Sequence, residues 1–347
     1  MRAVLITEPG NYGLEDLPDP TPDVGDVIVA PDGCGICGTD LHILAGEVPF
    51  TRYPIVPGHE FSGEVVAAGS GVDHVQVGDI VAVEPSLFCT HCPPCRTGRE
   101  NLCLNFDSIG VGQQNGACAE FVKVPAHKAF ALPEGMPRGL GTLVEPVSCV
   151  VHGFDMLDTR LGDNILIYGA GSIGLILAQI AAHHGAGSVS VVDTNPARLP
   201  RALEAGADHV AASADELGRP EGWEAVIDAT GAVAAIEDAI VRASHGGTVL
   251  LFGVAPHDVQ GASRRFGSTT RSYGSSGRWP SGTLSSAPCC PWRARGHRRR
   301  PPAHPPVQAR RLRRGAGDLP PRERAEAHGR ALTGTQRVLT CNSANES

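Results

Sequence analysis

Four cysteines fall within fifteen residues, Cys89-x2-Cys92-x2-Cys95-x7-Cys103, and this spacing constrains the fold more than any other feature of the chain. Sulfurs this close in sequence either pair as disulfides or wrap one tetrahedral metal ion. A Zn2+ held by four thiolates at about 2.3 Å orders such a loop without a hydrophobic core beneath it. The N-terminus, Met1-Arg2-Ala3-Val4-Leu5-Ile6, enters an apolar strand-like run with no signal-peptide pattern. A reducing, cytoplasmic setting is therefore expected, and there thiols bind metal and do not cross-link. The reading is a closed structural zinc lobe.

A second donor set lies upstream. Gly35-Ile36-Cys37-Gly38-Thr39-Asp40-Leu41-His42 is followed by Gly58-His59-Glu60. One thiolate, one imidazole and one carboxylate make the mixed set that leaves a zinc position open for substrate. Singly these residues carry little, since a lone cysteine is usually a small buried hydrophobe and a lone histidine or glutamate is usually structural. Together, just upstream of the four-cysteine loop, they point to a catalytic zinc.

Hydropathy patterning divides the chain. Up to about residue 150, short β-branched runs (26–30, 63–68, 79–83) alternate with Gly, Pro and Asp, the spacing of a β barrel. From about 151, apolar strands at 164–168, 189–192, 225–227 and 248–252 alternate with a helical period through Ile173, Leu177 and Ile180. This predicts a doubly wound parallel sheet, with a turn at His245-Gly246-Gly247 before its last strand. Gly169-x-Gly171-x-x-Gly174 follows the first of these strands and opens a helix, and Asp193 ends the next strand. Glycines there let a pyrophosphate approach the helix N-terminus, while the acid takes the ribose hydroxyls and repels a 2'-phosphate. NAD is favoured over NADP, with Arg198 the residue that could accept the phosphate instead.

Residues 1–260 resemble the zinc-dependent medium-chain alcohol dehydrogenases, and most closely their polyol (sorbitol-type) branch. The resemblance rests on the Gly35–Asp40 run, Gly58-His59-Glu60-Phe61-Ser62-Gly63, the four-cysteine lobe, Gly116-Ala117-Cys118-Ala119-Glu120, Glu145-Pro146 and the Gly169 fingerprint. It implies a GroES-like catalytic domain over 1–150 carrying both zincs and a Rossmann domain over 151–260, with NAD and an alcohol or polyol between them. Carried over by position, Cys37, His59 and Glu60 resemble the catalytic zinc ligands, with Glu145 as the fourth ligand or the partner of the metal's water. The classical alcohol dehydrogenases resemble this chain elsewhere but carry a cysteine at the position of Glu145. Asp40 would hold the far nitrogen of His59, and Thr39 would open a proton relay continued by His42. Gly169, Gly171, Ile173, Gly174, Asp193 and Arg198 would contact the cofactor. Cys34, Cys118 and Cys149 read as structural. A threonine-type dehydrogenase shares these zinc motifs and is the alternative reading.

Composition sets the last stretch apart. From Gly261 to Ser347 there are 17 Arg, no Lys and 4 acidic residues, a net of +13, against −21 for residues 1–260. Only 8 of those 87 residues are Val, Ile, Leu, Met or Phe, too few to offset the entropy of ordering them. The segment is expected to be disordered and the Rossmann unit incomplete. Shifted reading frames of 263–290, where Trp279-Pro280 must become Ala, and of the stretch from Gly296 restore strand-like and helical periods that resemble the family's C-terminus. The tail therefore reads as frame-shifted and not as a nucleic-acid-binding arm. No apolar run is long enough for a membrane span. The family's homodimer or homotetramer is doubtful for a chain that does not encode the pairing strand, and a non-catalytic zinc-binding remnant is the reading from another class.

Overall fold

The computed structural model describes residues 1–157 and 159–254. The expectations of a disordered tail and a frame slip beyond residue 260 lie outside the described residues.

The chain opens with the hairpin β1 (Arg2–Glu8) and β2 (Asn11–Asp16), followed by β3 (Asp26–Gly35), helix α1 (Gly38–Ala45), β4 (Glu60–Ala68) and β5 (Ile80–Val83). The cysteine lobe lies between β6 (Ser86–Leu87) and β7 (Asp107–Ser108), around the one-turn helix α2 (Pro93–Arg96). Strands β8 (Val122–Pro125) and β9 (Ala129–Ala131) complete a five-stranded antiparallel sheet in the order β8-β3-β4-β5-β9. Val27 and Val29 of β3, Phe61 and Val65 of β4, and Val81 and Val83 of β5 project at alternate positions into one apolar core. This period of two is what the short β-branched runs encode. Two of the expected strands are longer than their apolar runs: β3 extends to Gly35 and β4 begins at Glu60, pairing Gly35 with Glu60.

Helix α3 (Val144–Met156) leads to β10 (Asn164–Tyr168), α4 (Ser172–His184), β11 (Ser188–Val192), α5 (Leu199–Glu204), β12 (His209–Ala211), β13 (Trp223–Asp228), α6 (Val233–Arg242) and β14 (Ala243–Leu251). These five strands form a parallel sheet in the order β12-β11-β10-β13-β14. Ile165 and Ile167 of β10 enter one core while Leu166 and Tyr168 enter the opposite one. Both faces are covered, which is why the strand is apolar throughout. The turn expected at His245–Gly247 is instead part of one strand. Trp223 pairs with Ala243 and Ala225 with Thr248, so the intervening residues of β14 bulge outward, with Gly246 at φ +81°.

The fingerprint loop joins β10 to α4. The space a Cβ on Gly174 would occupy is 1.8 Å from the Gly169 carbonyl oxygen, so only glycine lets the helix start this close to the strand. No helix among the described residues is long and apolar enough to cross a membrane.

Candidate metal centre and cofactor loop

Helix α1 builds half of the open site. Cys37 is its N-cap, and Asp40 sits at the third helical position with its Oδ2 accepting the Cys37 N–H at 2.8 Å. This reciprocal cap fixes the thiol at the first turn of the helix. The other oxygen of Asp40, Oδ1, faces His59 Nδ1 at 3.5 Å. That leaves Nε2 as the imidazole nitrogen available to a metal. Strand β4 supplies Glu60 next in sequence, and a Cβ on Gly35 would lie 2.2 Å from Glu60 Oε2, so a glycine at 35 makes the room for this carboxylate.

The ligand atoms of Cys37, His59 and Glu60 lie within 4.8 Å of one another. His59 Nδ1 and Asp40 Oδ1 are buried without a hydrogen-bond partner of good geometry, as expected where a cation should polarise the imidazole toward its carboxylate. The set fits a zinc ion with an open position. Glu145, in the first turn of α3, is buried beside these groups but stands outside the group of three, with Oε1 3.3 Å from Cys149 Sγ.

The charges here are under strain without a cation. Burial pushes the Glu145 carboxyl up to about 7, opposed by His59 and reinforced by Glu60 and Asp40. Burial likewise raises Glu60 above the usual carboxylate range. Burial disfavours the His59 imidazolium, but Asp40, Cys37 and the Glu145 charge outweigh it and hold its pKa well above the ordinary value.

Thr39 Oγ1 is 3.7 Å from Cys37 Sγ, beside the donor set. His42, one turn further along α1, places Nδ1 2.5 Å from Glu47 Oε2 at the end of the same helical segment. Glu47 is a partner that sequence reading did not find. Its only local signal is a spacing of five residues across the α1 C-cap, which the left-handed Gly46 (φ +78°) closes.

In the lobe, the ligand atoms of Cys89, Cys92, Cys95 and Cys103 also lie within 4.8 Å of one another. Cys92 Sγ is 3.4 Å from Cys95 Sγ and 4.0 Å from Cys103 Sγ, matching the sulfur separation of about 3.8 Å around a tetrahedral zinc. The Cys92 N–H donates to Cys89 Sγ at 3.4 Å, and the Cys89 N–H to Cys103 Sγ at 3.3 Å. Burial raises the Cys89 thiol, but the backbone N–H groups of Cys92 and His91 overcome it and bring the pKa down to about 5. Burial and the neighbouring Cys92 and Cys103 sulfurs push Cys95 up to about 12. Four sulfurs so placed fit one divalent cation. Beneath them Lys128 is buried, 3.0 Å from Glu84 Oε2 and 4.4 Å from the centre of the Phe88 ring.

At the cofactor loop, both Asp193 oxygens are engaged by backbone: Oδ2 accepts the Ala170 N–H and Oδ1 the Asn195 N–H, each at 2.8 Å. Arg198 Nη1 stands 3.5 Å from Asp193 Oδ2. The acid thus ties the glycine turn to the end of β11. Ile173 packs its side chain against the core under α4, so any cofactor contact from it would be made by its backbone. Gly171 is the N-cap of α4.

Two family models match this chain: the alcohol dehydrogenase GroES-like domain over residues 23–134 and the zinc-binding dehydrogenase domain over 172–276. An L-threonine 3-dehydrogenase from Saccharopolyspora erythraea is 38% identical over 73% of this chain and 77% of its own length. This chain belongs to the zinc-binding medium-chain dehydrogenases. Among solved structures, a zinc-binding dehydrogenase from Sinorhizobium meliloti bound to NADP is 34% identical, with a TM-score of 0.72 over 75% of this chain and 79% of its own. The RspB dehydrogenase from Escherichia coli in complex with NADH is 33% identical, with a TM-score of 0.66 over 72% and 75% of the two chains. The GroES-like and Rossmann-type architecture is the family's; the relative's name puts the threonine class beside the polyol branch expected from sequence.

The two metal sets generate separate expectations. Cys95→Ser removes one lobe sulfur and should lower the zinc content of the purified protein from two per chain to one while promoting aggregation; unchanged zinc by elemental analysis would reject the four-thiolate site.

A second expectation concerns pH. A carboxyl whose pKa is raised on folding stabilises the fold fully below its unfolded value near 4.5, and this stabilisation is lost as pH rises through about 7. Urea unfolding of the metal-free chain should therefore show stability falling between those limits, by up to about 3 kcal/mol from Glu145. Glu145→Gln should flatten the fall, and saturating zinc should do the same by replacing the protons.

Proposed function

We propose that this chain oxidises a secondary alcohol to the ketone with zinc and a nicotinamide cofactor, and that its substrate is an amino alcohol of the L-threonine type. The observation that carries the dehydrogenase reading is the convergence of Cys37, His59 and Glu60 within 4.8 Å. The similarity to the Saccharopolyspora enzyme supports the threonine class over the polyols that the sequence put first. Polyols remain the second reading, on the resemblance of the Gly35–Asp40 run and Glu145-Pro146 to that branch; Glu145 sets both readings apart from the classical alcohol dehydrogenases and does not choose between them.

Cys37, His59 and Glu60 would hold the zinc, which when bound would supply Lewis acidity at the substrate oxygen, and a bound nicotinamide would supply the hydride acceptor. Asp40 holds the thiol and the imidazole in place. Thr39 takes the hydroxyl proton, and His42, braced by Glu47, passes it outward. Glu145 sets the charge facing the open position. NAD is the proposed cofactor, with Arg198 close enough to Asp193 to keep NADP in play.

The decisive assay follows NADH or NADPH formation at 340 nm with L-threonine and a polyol panel, on the chain as written and on a version with the reading frame restored after about residue 255. Activity with L-threonine in the restored version supports the first reading, and polyol activity alone supports the second. Absence of activity in both, with two zincs bound, identifies a non-catalytic zinc-binding protein. In the active form, Cys37→Ser should lose the catalytic zinc. Glu145→Gln should keep it but lower turnover and move the pH optimum, because the charge facing the open position has changed.

Asp193→Ala should have two effects at once. Losing the carboxylate removes the repulsion of a 2'-phosphate, so the NAD to NADP preference should fall at least about tenfold, from hydrogen bonds worth roughly 1.5–3 kcal/mol each. Because the same carboxylate holds Ala170 and Asn195, affinity for both cofactors should also drop. A changed preference without loss of NAD affinity, measured by calorimetry, would show that the loop keeps its shape unaided.

A further inference from the structure

Seven described cysteines are free thiols, and five of them belong to the two ligand sets. The other two, Cys34 and Cys118, lie 84 residues apart in sequence and meet behind the open metal site. The point a Cβ on Gly58 would occupy is 2.7 Å from Cys34 Sγ and 2.9 Å from Cys118 Sγ. Two sulfurs this close to one point face each other directly, and Cys34 Sγ donates to the Gly35 carbonyl oxygen at 3.4 Å. Both are half-buried and not sealed in the core. Cys34 is held in β3 opposite Phe61. Cys118 is fixed by its N–H to the Pro57 carbonyl and by its carbonyl to the Val4 N–H. Gly58, between the sulfurs at φ +101°, directly precedes His59 and Glu60.

We propose that Cys34 and Cys118 are a redox modification site: they form a reversible disulfide whose closure displaces Gly58 and, with it, the His59 and Glu60 ligands. The oxidant is a low-molecular-weight disulfide such as oxidised glutathione. One cysteine thiolate attacks a sulfur of that disulfide, making a mixed disulfide and releasing one small thiol. The second cysteine thiolate then attacks the protein sulfur of the mixed disulfide and releases the other. Two protein thiols are oxidised by two electrons, one small disulfide is reduced to two thiols, and the two protons pass to the released thiols. In the zinc-loaded protein the five other free thiols among the described residues would be held by metal, which leaves Cys34 and Cys118 as the reactive pair among those residues. The glycine supports this: any side chain at 58 would collide with both sulfurs, so the fold keeps open the space through which they meet.

The cross-link does not depend on the proposed activity, but its consequence rests on reading Cys37, His59 and Glu60 as a zinc set. Zinc-loaded full-length protein is incubated with oxidised glutathione, alkylated, digested without reduction and analysed by mass spectrometry. The expected product is a Cys34–Cys118 peptide pair 2 Da lighter than its two thiol peptides together, absent after dithiothreitol and absent from Cys34→Ala and Cys118→Ala. Bound zinc should fall from two per chain to one on oxidation and be retained in Cys34→Ala. Linkage of either cysteine to another partner, or stable glutathione adducts without the internal bond, overturns the site. The wild-type protein reports this even if a variant fails to fold. A cross-link formed with both zincs retained overturns the effect on the metal site. A protein that binds only one zinc before oxidation refutes the two-zinc reading and leaves the cross-link to be judged by its peptides.

Discussion

The Asp40 carboxylate stands between a helix start and an imidazole, and the candidate open site is arranged around it. One oxygen closes the α1 cap on Cys37 and the other faces the nitrogen of His59 turned away from the ligand position. A capping box is a local device, available to any helix whose first turn has the right residues. Here it also positions a thiol and faces, across the chain, the histidine just before β4. A neutral residue at 40 would release both donors at once, and the helix would lose an acid from its first turn.

Among the described residues, the acids buried around this site outnumber the cations beside them. Glu60, Glu145 and Asp40 converge on His59, the only protein cation among them, and burial drives Glu60 and Glu145 toward their neutral forms. A divalent cation changes this balance more than any side chain could, since bound ions are the largest local charges in such sites. The lobe makes the same demand with sulfur. Four thiols within 4.8 Å cannot all ionise against one another, and the backbone N–H groups aimed at Cys89 stabilise only part of the charge. Each set fits one divalent cation.

The cofactor loop depends on close approach and not on charge. Gly174 admits α4 against the Gly169 carbonyl, and the Asp193 carboxylate pins the turn from β11. An acid read from sequence as a ribose ligand is thus first a brace for the backbone that would receive the pyrophosphate, and the two roles use the same oxygens.

Most of the architecture was legible because it is written in short-range patterns. The cysteine spacing, the alternation in β3, β4 and β5, the continuously apolar β10 and the Gly-x-Gly-x-x-Gly turn are local, and local chemistry determined them. The sequence by itself also put Cys37, His59 and Glu60 forward as one set, since each sits in a compact motif. Tertiary structure decided what those motifs share. Pairing of Gly35 with Glu60 across β3 and β4 brings a carboxylate to a thiol 23 residues away in sequence, and packing of α3 carries Glu145 to their side without adding it to the ligand group. It also converted an expected turn at His245–Gly247 into a bulge, because β13 offers one residue where β14 has several. The meeting of Cys34 with Cys118 has no local signature. Two isolated cysteines look like small hydrophobes in sequence, and only the folding of β3 and a distant loop around a glycine with no side chain makes them neighbours.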